Sequence, residues 1–178
     1  MGLTRLAAIL ILPTVVSAQT WRGLAIAPEH RCSEYAATDY SYSWTLEADV
    51  VARQGGIYSP YDGRWFDSLS ETDIEHVVAR SEAHDSGLCA ATAERRRNFA
   101  NDIENLTLSE PGLNRRIKGA RDAGEWLPQS NRCWYAATIV RIKIKYALTV
   151  DIVEAAALER VLRSCPVREM QFTRRPSN

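Results

Sequence analysis

Apolar residues recur at helical spacing in the last third of the chain, at Tyr135, Ile139, Ile142 and Tyr146. This stripe predicts a helix that Asn131 caps and that runs to about Ala147, with the stripe facing the core. Branched residues between positions 140 and 144 also alternate with basic ones, as they would in a strand. The preceding pair of alanines and the length of the segment favour the helix.

A second helix is expected after a short connection. Asp151 and Glu154 have the spacing of a capping box, a pattern with which many helices begin. An apolar stripe belongs to the same segment and consists of Val153, Ala157, Leu158, Val161 and Leu162. Because the link between the two helices is short, we expect them to run antiparallel.

Shorter elements are expected between residues 71 and 123. We predict a strand at 71–78, helices at 81–90 and 92–100, a strand at 103–108, a turn at 110–112 and a helix at 114–123. In the first strand, period-two alternation places His76 on the face opposite to Glu75. A bend or bulge near the strand end is therefore needed to bring both side chains into one cleft.

Residues 19–68 are rich in Tyr, Ser, Gly and Pro. Turn signals at Gly55-Gly56 and at positions 59–63 interrupt this region, so we predict an irregular N-terminal wrap with one helix around 45–53. The Tyr and Trp side chains of the wrap are expected to serve ordinary packing.

The first 18 residues have the pattern of a secretory signal peptide. Arg5 supplies positive charge, an apolar run covers Leu6 to Leu12, and small residues precede a cleavage point after Ala18. The apolar run is far shorter than the ~18 residues that a membrane span needs. We therefore expect a secreted, soluble protein without a membrane partner, whose mature form of 160 residues fits one domain.

The charge balance excludes one class of nucleic-acid protein. The chain of 178 residues has a formal net charge of zero, so it is not a globally basic coat protein. Any contact with nucleic acid must come from a local basic patch. The run at positions 95–97 is expected to be a solvated helix face rather than such a patch.

The mature chain keeps four cysteines, Cys32, Cys89, Cys133 and Cys165. An even number in a secreted protein indicates two disulfides, and the long spacings without a CxxC pair argue against a zinc site. Three pairings fit the sequence alone. In an antiparallel helix pair the start of one helix lies beside the end of the other, which favours Cys133–Cys165 and, by elimination, Cys32–Cys89.

The most informative chemical pattern combines an acid–histidine pair with two asparagines. Glu75 and His76 are followed after 29 residues by Asn105, and nine residues later by Asn114, with Lys118 close behind. An acid and an asparagine can hold a hard cation, and a histidine can take a proton from water. The other asparagine can hold the histidine in place. This is the order of parts in a one-metal phosphodiesterase.

A strand, loop, strand, turn and helix that carry these residues resemble the HNH nucleases of the ββα-metal type. The chain is most similar to the secreted, GmrSD-like branch of that family, and the likeness covers about residues 29–165. It is carried by the segments 72–89, 105–108, 114–115, 122–123 and 125–128. The nine-residue step from Asn105 to Asn114 is also that of the HNH domain in RNA-guided DNA nucleases.

The resemblance implies a role for each residue of the pattern. His76 would be the general base, Asn105 would brace it, and Lys118 would stabilise charge. Arg115 would hold the substrate phosphate. The protein ligands of one divalent metal ion, Mg²⁺ or Mn²⁺, would be Glu75, Asn114 and, beside them, Asp73. Many family members have Asp or His at the metal positions, and Lys118 follows Asn114 by four residues rather than the usual three.

Some of these residues have alternative interpretations. Asn105 begins a glycosylation sequon, and a bracing asparagine cannot carry a glycan, so we favour the unmodified side chain. The basic residues at 115–121 would alternatively form a solvated helix face. A last set is expected to give structural support rather than chemistry, namely Glu82, His84 and Asp85.

Together these features predict an α+β fold, in which a ββα-metal (HNH) finger is embedded in a mostly helical, disulfide-bonded single domain. We expect a signal peptide at 1–18, a wrap at 19–68, the ββα-metal core at 69–123, helices at 124–165 and a tail at 166–178. The predicted function is that of a secreted, monomeric nuclease for DNA, with RNA as an alternative substrate and with little sequence preference. The rivals are a non-catalytic binding module on the same scaffold and an effector nuclease with an inhibitor partner that the sequence does not identify.

Overall fold

The centre of the fold is a two-stranded antiparallel sheet that carries the acid–histidine pair. Strand β5 (Asp73–His76) pairs with β6 (Leu106–Ser109), so that Glu75 lies opposite Thr107 and His76 opposite Leu106. The computed structural model describes residues 19–175. The signal peptide that the sequence predicts at 1–18 lies outside the described residues.

Two further antiparallel strand pairs flank this sheet in the N-terminal region. β1 (Thr20–Trp21) pairs with β2 (Leu24–Ala25), and β3 (Tyr58–Ser59) pairs with β4 (Arg64–Trp65). Each of these strands has two residues, which agrees with the irregular wrap that the sequence predicts for residues 19–68.

Helices make up most of the regular structure in residues 19–175. They are α1 (Leu46–Gln54), α2 (Arg80–Asp85), α3 (Ala93–Ala100), α4 (Arg132–Tyr146) and α5 (Ile152–Arg163), with a π-helix at Leu113–Lys118. Helix α1 ends at Gly55, whose φ of 69° is the left-handed conformation that glycine adopts at low cost. The fold is therefore α+β, with small sheets and a larger helical part.

Helix α4 forms over the segment where helix and strand patterns compete. Tyr135 and Ile142 have no exposed surface, Ile139 is almost fully buried, and Tyr146 is also in the core. Burial of each such side chain stabilises the fold by about 1.5–3 kcal/mol, which only the helical arrangement achieves for all of them. The favoured helix is thus confirmed.

The two disulfides fasten the helical part of the fold at both ends. Cys133–Cys165 joins the start of α4 to the end of α5, with a Cα–Cα distance of 5.6 Å. Cys32–Cys89 joins the wrap to the short turn after α2, with a Cα–Cα distance of 5.5 Å. These are the pairs expected from an antiparallel arrangement of the last two helices.

The structure corrects several details of the predicted elements. The second strand begins at Leu106, because residues 103–105 form a 3₁₀ turn. The expected turn at 110–112 is wrong, since Pro111 and Gly112 are already helical. Glu110 accepts hydrogen bonds from the backbone N–H of Gly112 and Leu113, and the helix they begin ends at Lys118 rather than at residue 123.

The caps of the last two helices also differ from expectation. Asn131 precedes α4 but makes no capping hydrogen bond, and its side chain binds Pro60 and Gln171 instead. Asp151 does cap α5, whereas Glu154 does not return the bond and turns inward. Val153, which was assigned to the apolar stripe, is 62% exposed.

A charged cluster is buried between α2, α4 and α5. Lys143 has no exposed side-chain surface, and its ammonium group contacts the carboxylates of Glu82, at 2.7 Å, and of Glu154. It also donates to the carbonyl of Thr149, and Ser86 donates to Glu82. One ammonium therefore serves two carboxylates inside the fold.

Within residues 19–175, none of the helices combines the length and the apolar character that a bilayer crossing requires.

Candidate active site

A cleft of about 570 Å³ collects five of the seven side chains to which the sequence assigns chemistry. They are Asp73, Glu75, His76, Asn114 and Arg115. The other two, Asn105 and Lys118, lie behind the cleft wall and have no exposed surface. Strand β5 supplies three members and the π-helix supplies two, so the pairing of β5 with β6 and the helix that follows β6 position the set.

The His76 ring is held in one tautomer. Its Nε2 lies 2.9 Å from the carbonyl oxygen of Ala100, and because a carbonyl can only accept, Nε2 carries the hydrogen. In the neutral ring Nδ1 is then an acceptor, and Nδ1 has no hydrogen-bond partner among residues 19–175. Phe99 stacks on the ring, and Tyr42 meets it edge-on with 5.1 Å between centroids.

Burial changes the basicity of His76. The sequence suggests an ordinary pKa near 6.5, but burial lowers the pKa of His76 to about 3, and the bond to Ala100 only partly offsets this. The ring is therefore neutral at every pH near neutrality. That is the form that can accept a proton from water, although the lowered pKa makes it a weak base.

Glu75 and Lys118 form a buried ion pair. Lys118 Nζ lies 2.6 Å from Glu75 Oε1 and also donates to the backbone carbonyl of His76 at 3.0 Å. Tyr61 donates a longer hydrogen bond of 3.4 Å to the same carboxylate oxygen. Burial raises the pKa of Glu75, whereas Lys118 and Tyr61 favour its ionised form. Lys118 thus fixes the end of β5 and is not part of the cleft lining.

Asp73 links β5 to the start of the π-helix. It accepts from Arg115 Nε at 2.8 Å and from Asn114 Nδ2 at 3.2 Å, and Arg115 Nη2 binds its second oxygen. The Arg115 side chain is 69% exposed, so this pair is open to solvent. The fork of Arg115 therefore occupies Asp73 without burying its own charge.

Asn105 joins its own turn to the chain that leaves β5. Its Oδ1 accepts from the backbone N–H of Val78 at 2.8 Å, and its Nδ2 donates to the Val78 carbonyl at 3.1 Å. The backbone carbonyl of Asn105 also accepts from Val77 at 2.8 Å. The chain bends at these two residues, immediately after His76. This bend lets the side chains of Glu75 and His76 reach one cleft although they leave opposite faces of β5.

Comparison with known families decides the relationship of the chain. The sequence model described as GmrSD restriction endonucleases, C-terminal domain, matches residues 33–159, which is more than half of the chain. The chain belongs to the GmrSD C-terminal domain family. The matched segment contains the whole cleft, so the chain is a member of a nuclease-related family through the region that carries the candidate site.

One relative extends this comparison. A protein of Arthroderma benhamiae (strain ATCC MYA-4681 / CBS 112371), described as an uncharacterized secreted protein, is 35% identical over 123 residues. The shared region covers 67% of this chain and 60% of the relative, so this GmrSD-family chain spans less than two thirds of that protein's length. No solved structure matches the chain.

The described residues of this GmrSD-family chain contain another carboxylate cluster, away from the cleft. Glu29, Asp122 and Asp151 each place an oxygen within 4.8 Å of the other two. Asp122 and Asp151 accept hydrogen bonds from backbone N–H groups of a turn and of α5. Their positions are therefore explained by the fold.

Several residues of the candidate site escaped sequence analysis. Ordinary packing was expected for the aromatic residues of the wrap, but Tyr42 covers His76, Tyr61 donates to Glu75, and Trp44 is 81% exposed in the cleft. Arg80, at the start of α2, also lines the cleft. A signal existed for Arg80, since it follows His76 by only four residues, but none existed for the aromatic side chains.

The residues expected to support the structure do so. Glu82 binds Lys143, and Asp85 binds Arg31 through both carboxylate oxygens at 2.7 Å. His84 has no exposed surface and lies 2.9 Å from both the Tyr40 hydroxyl and the Ser33 carbonyl. All three therefore connect α2 to other parts of the chain of this GmrSD-family protein.

Proposed function

We propose that this chain is a secreted nuclease that uses one divalent metal ion to hydrolyse phosphodiester bonds of DNA, with RNA as a second candidate substrate and with little sequence preference. The observation that carries the proposal is the state of His76. One ring nitrogen is fixed by Ala100 and the other is available to a water molecule in the cleft. Membership of a nuclease-related family supports the reaction class.

The chemical step would use His76 as a general base. Nδ1 would accept a proton as the water oxygen bonds to phosphorus and one ester P–O bond breaks. The backbone around His76 is held by Lys118 on one side and by Asn105 beyond the bend, so the ring is positioned before substrate binds. The exposed guanidinium of Arg115 would exchange Asp73 for a substrate phosphate, to which it can bind through two hydrogen bonds.

Asp73, Glu75 and Asn114 are the side chains that would hold the metal ion. They line the cleft and offer the carboxylate and amide oxygens that Mg²⁺ and Mn²⁺ prefer, so the donor set fits such an ion chemically. When bound, the ion would neutralise phosphate charge and stabilise the leaving oxygen. Arg115 is exposed and can release Asp73, whereas Lys118 is buried beside Glu75, so Asp73 and Asn114 are the more accessible donors.

The proposal includes the destination of the protein. Removal of residues 1–18 as a signal peptide would leave residues 19–178 as one working domain, active as a monomer. Two disulfides are typical of proteins that fold in an oxidising compartment, and the Arthroderma benhamiae relative is described as secreted.

A non-catalytic binding module on the same scaffold is the second candidate. One observation favours it: both cleft carboxylates already have basic partners, Glu75 with Lys118 and Asp73 with Arg115. Titration with Mg²⁺ and Mn²⁺ separates the two functions, because a binding module would bind nucleic acid without any metal-dependent turnover.

The decisive experiment is plasmid cleavage by residues 19–178 with Mg²⁺ or Mn²⁺. General-base catalysis contributes about 10²- to 10⁴-fold, so His76→Ala is expected to lose at least about 100-fold in rate. His30→Ala removes an exposed histidine outside the cleft and should cleave like the wild type. Thermal unfolding must show that His76→Ala is folded, and Asn114→Ala tests the cleft again at its rim. Wild-type cleavage by a folded His76→Ala protein would overturn the mechanism.

A further inference from the structure

Trp44 has an unusual position for a tryptophan. Its 81% exposure is the largest of any large apolar side chain in residues 19–175, and it lines the cleft that contains His76. Tryptophan is highly buried on average, because its indole has a large apolar surface. An indole held open at the candidate active site therefore indicates a ligand with a flat apolar face.

The segment that carries Trp44 is fixed on both sides. Tyr40 has no exposed surface, and its hydroxyl lies 2.9 Å from His84 Nδ1. Asn101 accepts from the backbone N–H of Ser43 and donates to the carbonyl of Ser41, both at 2.9 Å. The backbone on either side of the cleft lip is thus hydrogen-bonded to α2 and α3, so the exposure of Trp44 is built into the fold.

Trp44 lies close to the proposed chemistry. Tyr42 packs against the His76 ring at 5.1 Å, and two residues of extended chain span at most about 7 Å. A nucleotide next to the scissile phosphate is therefore within reach of the indole. Tyr35 also lines this cleft, which adds a third aromatic ring to the same wall.

Basic side chains alternate with these rings. The Arg80 guanidinium lies over the Tyr42 ring at 5.2 Å and donates to the Tyr40 carbonyl at 3.0 Å. Arg115 is exposed on the other side of the cleft. Aromatic faces for bases, together with guanidinium groups for the backbone, are the pattern by which proteins bind single-stranded nucleic acid.

We infer that Trp44 stacks on an unpaired base next to the scissile phosphate, and that this protein consequently prefers single-stranded over double-stranded nucleic acid. The inference rests on the proposed nuclease function and specifies its substrate. In a duplex the faces of the bases are covered by their neighbours, so only an unpaired nucleotide presents a face to the indole. A protein partner is disfavoured because the ring belongs to a concave, charged cleft.

The test compares cleavage of one sequence as a single strand and as a duplex, in DNA and in RNA. Stacking on one base corresponds to about a 5- to 150-fold effect, so Trp44→Ala should lose that factor in kcat/KM on the single strand and keep its rate on the duplex. Trp44→Phe keeps an aromatic face and should retain most of the preference. Ile152→Ala, which removes a 65% exposed apolar side chain outside this cleft, should change neither rate.

Several results would overturn the inference. They are equal cleavage of both substrate forms by the wild type, an equal loss on both forms in Trp44→Ala, and no loss on either. If the wild type cleaves nothing, the proposed function fails separately, and fluorescence anisotropy with labelled single strands still decides the stacking. Weaker binding by Trp44→Ala but not by Ile152→Ala would support it, and equal binding by both would refute it.

Discussion

Replacement of Lys143 by methionine tests the buried charge cluster. The lysine ammonium is the cation that Glu82 and Glu154 share, and its side chain is fully buried. Methionine fills the aliphatic space but leaves both carboxylates without a charged partner. Removal of one partner from a buried ion pair costs about 3–5 kcal/mol. A domain of this size typically unfolds with about 5–15 kcal/mol, so the change removes a large share of the stability.

The expected effect is measurable by two independent methods. For a domain of about 150–250 residues, each kcal/mol shifts Tm by about 2–4 °C, so Lys143→Met should unfold about 6–20 °C below the wild type. Urea titration should give the corresponding fall in the free energy of unfolding. The difference from the wild type should be larger at pH 8 than at pH 5, because Lys143 lowers the pKa of Glu82 against the effect of burial. Without the lysine, Glu82 gains stability only when it is protonated.

Lys145 provides the matched control on the same helix. Its side chain is 45% exposed and pairs with Asp102 and Glu104, so Lys145→Met should cost less than about 1 kcal/mol. Equal stability losses in the two variants would refute the claim that burial gives Lys143 its larger contribution. A Lys143→Met protein as stable as the wild type would do the same.

Other variants test separate parts of the fold. Asn105→Ala leaves two buried backbone groups unpaired and should cost about 2–4 kcal/mol in urea unfolding, and a loss below 1 kcal/mol would contradict its role as a brace. Replacing Cys133 and Cys165 by serine opens a link across 32 residues and should cost about 3–4 kcal/mol, and a Tm unchanged from that of the oxidised wild type would speak against it. Burial raises the pKa of Glu154 from 4.5 to about 8, so its protonated form stabilises the fold fully below pH 4.5, and this contribution disappears as the pH rises through 8. Glu154→Gln should therefore flatten the fall in unfolding free energy between pH 5 and pH 8, and an unchanged slope would exclude the assignment.

The predictable parts of the fold are those with strong local periodicity. Helix α4 was predictable because its apolar stripe can be buried completely only in a helix. The turn signal at Pro111 and Gly112 misled, because proline suits the first turn of a helix as well as a loop, and the Glu110 side chain caps that turn. Val153 was misplaced because periodicity gives the face of a helix but not whether another element covers its first turn.

The candidate site was predictable as a set of residues and not as a set of contacts. The spacing of acid, histidine and asparagines placed five side chains in one cleft. It gave no indication that Lys118 would be buried against Glu75 or that Tyr42 would cover His76. These contacts join segments that lie 14 to 43 residues or more apart in neither pattern nor period, so only the packing of the wrap against β5 creates them.

The contacts of Asn105 have a consequence for how the protein is made. Asn105 and Thr107 form a glycosylation sequon, yet both are fully buried, and the Thr107 hydroxyl accepts from Gln54 at 2.9 Å. In a host that glycosylates nascent chains, folding and modification compete for the same amide nitrogen, and each outcome excludes the other. The yield of secreted protein in such a host then measures a kinetic race, in which molecules that acquire the sugar first are lost to quality control.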